Sequence, residues 1–81
     1  MEYEDMTPIT AQSVHELIRS GGFKLNPYAQ AYTDALQQSE DEYGDEGVRC
    51  QCLYIASNIR PRGDIQKAVK YKLLALGSRK R

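Results

Sequence analysis

EGVRCQCLYIASNIRPRGD, residues 46–64, is the stretch from which the fold is read. Val48, Cys52, Ile55, Ala56 and Ile59 recur at steps of four, three, one and three, which lines them along one face of a helix. Leu53 widens that stripe, while Arg49, Gln51, Tyr54, Ser57 and Asn58 fall off it. Arg60-Pro61 ends the helix, because proline disfavours helical conformation in the residue before it. No segment shows sustained period-two alternation, so the chain is expected to be all-α.

Working outward, glycine and proline divide the chain into four helical segments. Thr7-Pro8 is a start signal, with threonine as cap and proline in the first turn. The first helix turns Ile9, Val14, Leu17 and Ile18 inward and stops at Gly21-Gly22. Asn26-Pro27 repeats the signal and opens a second helix reaching Gly44, with Tyr28, Tyr32, Ala35, Leu36, Ser39 and Tyr43 on its inner face. In the fourth, Asp64 is the expected cap, Ile65, Ala68, Val69, Leu73 and Leu76 point inward, and Gly77 is the end. The expected architecture is a compact bundle of three to four short helices, with helices two and three as its central antiparallel pair. One domain spans residues 1–81, with a short disordered N-terminus (about 1–6) and a basic C-terminal tail (about 77–81).

Size and composition narrow the function classes. An 81-residue chain buries only about 60% of its unfolded surface, so its core is small. No apolar run approaches the roughly 20 residues that span a bilayer, and MEYEDMTPIT lacks the features of a secretory signal. A cytoplasmic, non-membrane protein with reduced thiols is the expectation. The net charge of zero hides a division. Residues 1–47 hold ten acids and two bases, net −8, and residues 48–81 hold nine bases and one acid, net +8. Either the halves neutralise each other within one molecule, or they form two docking surfaces of opposite sign.

The suggestive letters of the opening stretch are read mainly as packing. Cys50 and Cys52 diverge by roughly 200° around a helix, which suits neither a shared tetrahedral ion nor a disulfide. Cys52 falls in the apolar stripe and is expected in the core, and Cys50 on its flank. Arg62-Gly63-Asp64 matches an adhesive tripeptide, yet reads here as loop, glycine and helix cap. His15 has no nucleophile at a spacing that makes a catalytic set, and Gly21-Gly22 is not followed by the lysine-serine or lysine-threonine pair of a phosphate loop. No catalytic residue, metal or cofactor is therefore expected.

What remains is a surface rich in tyrosine and arginine, the composition of interface hot spots. Arg49, Tyr54, Asn58, Arg60, Arg62, Lys67, Lys70 and Tyr71 are the expected partner-binding residues. The expected function is a small non-enzymatic protein–protein interaction module, an adaptor or inhibitor of a larger protein. By analogy of size alone, this is the kind of small protein that bacteriophages and mobile elements direct at host machinery. The alternative is a nucleic-acid-binding or regulatory protein using the basic C-terminal half. Against it stands a pI of about 6.6, where dedicated binders usually exceed roughly 9, which leaves room for weak nucleic-acid binding only. A homodimer joining acidic to basic patches is also compatible with the charge division.

Overall fold

Side-chain caps explain where the first two helices begin. A computed structural model of the chain describes residues 9–78. The first helix, α1 (Ala11–Gly21), is capped by Thr10, whose Oγ1 accepts from the Ser13 N–H at 3.0 Å while the Ser13 Oγ accepts from the Thr10 N–H at 3.1 Å. This reciprocal box satisfies two amide groups at the helix start, and it places that start later than the expected Thr7-Pro8. Thr7-Pro8, the N-terminal stretch 1–6 and tail residues 79–81 lie outside the described residues. At the other end Gly22 closes α1, as the paired glycines predict, its N–H donating to the Arg19 carbonyl.

Asn26 caps α2 (Pro27–Asp34), its Oδ1 accepting from the Ala29 N–H at 2.7 Å. The expected single helix to Gly44 is two: α2 gives way at Ala35 to α3 (Leu36–Tyr43). No glycine or proline marks the break. Its cause is Thr33, a buried residue whose Oγ1 donates to the Ala29 carbonyl at 2.8 Å. Such back-bonding to residue i−4 competes with the backbone ladder and bends helices. Gly44 then turns α3 into α4 (Asp45–Ser57) with φ 68° and ψ −147°, a conformation closed to other residues. After a loop, α5 (Gly63–Ser78) completes an all-α fold of five helices, rather than three to four, among the described residues. Gly77 and Ser78 belong to α5 rather than to a tail, and Asp64 lies inside its first turn rather than before it.

The helix read from the opening stretch is the centre of the fold. Val48, Cys52, Ile55, Ala56 and Ile59 are all buried. Around them α4 packs against α5, α3 and α2, while α1 lies on α5 and α3. Among single helices the most extensive pairing is α4 with α5. The two parts of the expected second helix, α2 and α3, together pair with α4 more extensively still, in agreement with the expected central pair across the acidic turn. Leu73, Leu36, Val14 and Ile18 complete one core, with Leu17, Phe23, Leu25, Tyr32 and Leu74 partly buried against it.

Tyr28 and Tyr43, expected inside, are 69% and 68% exposed. The buried line of α2 and α3 runs instead through Ala29, Thr33, Leu36 and Ser39. Most of these are small, and Ser39 meets Gly47 on α4, where a methyl group would fall onto the Ser39 carbonyl. Backbones this close leave no room for a ring between them, and Tyr43 meets Gly47 through its Cβ while most of the residue stays exposed. Ile65 and Ala68 on α5 are also exposed, because the buried line of that helix begins only at Val69. Leu53 sits at the rim, 36% exposed against Gly77.

Two substitutions on α4 should therefore differ sharply. Ile55→Ala empties a fully buried site and should cost roughly 2–5 kcal/mol, whereas rim residue Leu53→Ala should cost about 1 kcal/mol. Gly47→Ala should cost roughly 1–3 kcal/mol by forcing α3 from α4. Urea unfolding followed by circular dichroism measures all three, and equal costs at Leu53 and Ile55 would contradict a core centred on α4.

Candidate binding cleft

Two distant stretches of chain meet at one end of the bundle. The end of α1, the start of α2, the end of α4 with its following loop, and the start of α5 enclose a cleft of about 500 Å³. Its walls are held by side chains bonded to backbone. Asn26 Nδ2 donates to the Asn58 carbonyl at 2.9 Å, tying α2 to α4. Gln66 Nε2 donates to the Gly21 carbonyl at 2.9 Å, and its Oε1 accepts from the Arg62 N–H at 2.8 Å, tying α5 to α1 and to the loop. Lys70 Nζ reaches the Ile59 carbonyl at 3.3 Å. Hydrogen bonds spanning up to 45 residues of sequence thus set the shape of the cleft.

The lining is cationic. Lys24, Arg60 and Arg62 face the cleft with Asn26, Asn58 and Gln66, over Phe23 and Ile59, and no carboxylate is among them. Among the described residues, no hydrogen bond or ion pair occupies the Lys24 ammonium or the guanidinium groups of Arg60 and Arg62. Helix ends do not account for this positive character. The starts of α2 and α5 and the ends of α1 and α4 all meet here, so their partial charges of opposite sign offset one another. The positive charge belongs to side chains.

Glu40, Asp41, Glu42, Asp45 and Glu46 gather at the opposite end, while Asp64, in the first turn of α5, lies at the cleft end but outside the cleft lining. A helix the length of α4 separates its two ends by about 18 Å. Glu40 Oε1 accepts from the Ala11 N–H at 3.2 Å, serving the start of α1 from across the fold. Asp45 and Glu46 occupy the first turn of α4, where the helix dipole favours them, and Glu46 pairs with Arg49. Asp41 and Glu42 accept hydrogen bonds from Gln37 and Gln38. The acids at this end hold the fold.

The expected site residues divide accordingly. Asn58, Arg60 and Arg62 come together in the cleft, and Lys70 lies behind it with its ammonium committed to backbone. Tyr54, one turn before Asn58, accepts from Asn58 Nδ2 through its carbonyl and stacks on Tyr32 at 5.1 Å between centroids, with half of its surface exposed. Lys67 and Tyr71 are exposed on α5. Arg49 is not brought to the cleft: it is half-buried at the acidic end of α4. Lys24, Asn26, Phe23 and Gln66 are additions that sequence reasoning passed over. Lys24 carried one signal, as one of only two bases among residues 1–47.

Elsewhere the chemistry is sparse. Among the described residues, no group of three or more His, Cys, Asp or Glu could hold a metal ion. No helix of the described residues is long and apolar enough to cross a membrane. His15 is half-buried on α1, outside the cleft. Comparison with protein-family models, curated proteins and solved structures finds no match.

The cysteines separate by environment. Cys52 is fully buried, and burial pushes its thiol up to about 12 from 9.0, because the thiolate would lose its hydration. Cys50 is exposed. A raised folded-state value keeps Cys52 protonated at pH 8.5 and unreactive toward iodoacetamide, since the thiolate is the nucleophile. One carbamidomethyl group, on Cys50, is expected in the native protein and two in urea, read by intact mass. Rapid native labelling of Cys52 would contradict its burial.

Proposed function

We propose that this chain is a small non-enzymatic binding module that docks a larger protein, as an adaptor or inhibitor. Its docking surface runs from the Tyr32–Tyr54 pair across Asn58 to the cations of the α4–α5 loop. The observation that carries this reading is the exposed tyrosine stack one helical turn from a cleft with three uncommitted cations. Tyrosine and arginine supply large contact area and directed hydrogen bonds, and they dominate interface hot spots. The support is chemical as well: the cleft lining holds no serine, cysteine, histidine or carboxylate to act as nucleophile or acid–base pair.

The tyrosine separates docking from folding. Tyr54→Phe keeps the ring stacked on Tyr32, and Tyr54→Ala removes a contact worth about 0.5–1.5 kcal/mol, which leaves the buried stripe of α4 intact. With the immobilised chain and extract of its native host, quantitative mass spectrometry is expected to show one retained protein. Tyr54→Ala should reduce its retention tenfold or more, and Tyr54→Phe by less than threefold, with circular dichroism unchanged. Retention that is equal in wild type and Tyr54→Ala, or that nuclease treatment abolishes, would overturn the reading. The second outcome would favour nucleic-acid binding instead.

A further inference from the structure

We infer that the cleft receives a short acidic peptide segment, its glutamate or aspartate carboxylates held by Lys24, Arg60 and Arg62. This deepens the docking role above and rests on the partner being a protein. Three cations converge on a cleft of about 500 Å³ with no carboxylate in its lining. All three side chains are exposed, so a single pairing is worth little, and binding rests on several carboxylates engaging the three cations together. Arginine presents a planar fork that matches a carboxylate through two parallel hydrogen bonds, and two of the three cations are arginines.

The walls around these groups are already committed. Asn26 donates to Asn58 and caps α2, Asn58 Nδ2 donates to Tyr54, and Gln66 bonds Gly21 and Arg62. The amides therefore fix the walls, and the cations are left for the ligand. Phe23 and Ile59 offer an apolar floor to the methylene groups of a glutamate or to a neighbouring apolar side chain.

Charge geometry favours a short peptide over a nucleic-acid strand. The cationic lining is confined to one end of the bundle, and Glu40, Asp41, Glu42, Asp45 and Glu46 gather at the other, about 18 Å away along α4. Duplex DNA carries one negative charge per roughly 1.7 Å, so an extended polyanion lying along the bundle would be drawn at one end and repelled at the other. A segment a few residues long stays within a Debye length, about 8 Å at physiological salt, of the cations alone.

Fluorescence anisotropy with the full chain tests this at physiological salt. The probes are a fluorescein-labelled peptide of four glutamates flanked by glycines, its glutamine counterpart, and an oligothymidine of equal charge. Saturable binding of the glutamate peptide is expected, with none of the glutamine peptide and weaker binding of the oligothymidine. Arg60→Glu and Arg62→Glu should each weaken peptide binding tenfold or more. Lys72→Glu, the same charge change on exposed α5 outside the cleft lining, should weaken it less than twofold. Equal losses at Arg60 and Lys72, tighter binding of the oligothymidine, or no saturable peptide binding would each overturn the inference. Failure of the glutamate peptide beside Tyr54-dependent retention of a host protein would sink the acidic-segment assignment alone. Peptide binding beside retention indifferent to Tyr54 would sink the tyrosine docking surface instead.

Discussion

The close approach of α3 and α4 at Ser39 and Gly47 is the constraint from which much of the remaining arrangement follows. A side chain at Gly47 would collide with the Ser39 backbone, so the two helices meet nearly backbone to backbone. Ser39 is the small residue that permits this contact, while Leu36 on the same buried line fills the core beyond it. The tyrosines of the same segment are then displaced to the flanks. Tyr28 and Tyr43 face solvent, and Tyr32, half-buried, finds the ring of Tyr54 at the edge of the interface. The exposed aromatic surface is in this sense a by-product of tight helix packing beneath it.

Charge is organised along the same axis. The acidic end is committed to structure: Glu40 serves an amide of α1, Asp45 and Glu46 sit where the dipole of α4 favours them, and Glu46 holds Arg49. At the cleft end, the structural bonds come from amides and from Lys70 instead, and three cations are left without them. A net charge of zero thus describes two ends with different duties. Surface ion pairs contribute little to stability, commonly below about 1 kcal/mol, so leaving Lys24, Arg60 and Arg62 unpaired costs the fold little.

Legibility in the sequence tracked the range of the responsible interaction. The stripe of α4 was legible because Val48, Cys52, Ile55 and Ala56 at helical spacing are a local pattern. They are buried together with Ile59, which lies just past the end of the helix at Ser57 rather than within it. The end of α1 and the start of α2 followed from Gly22 and Asn26-Pro27, again local. The break at Ala35 was hidden, because a threonine hydroxyl bonded to Ala29 bends the helix without glycine or proline. Ile65 looked like core because it continues an apolar pattern, but α5 has no neighbour over it there. Arg60 and Arg62 were recognisable as candidates from composition. Lys24 was not, since it joins them only when α1 and α4 end at the same place.

One side chain shows how fold and cleft are coupled. Asn26 uses its carbonyl oxygen to cap α2 and its amide nitrogen to hold the carbonyl of Asn58, so one residue both starts a helix and fixes a wall of the cleft. Gln66 does the same between α5, the loop and α1. These bonds are partly solvent-exposed, and each contributes only about 0.5–1.5 kcal/mol, far less than the buried stripe. The cleft is therefore shaped by the weakest links of the molecule, while the stripe of α4 keeps the chain folded whatever happens there. Such a division lets cleft residues change with a partner at little cost to stability, a useful property in a small domain with few kcal/mol to spare.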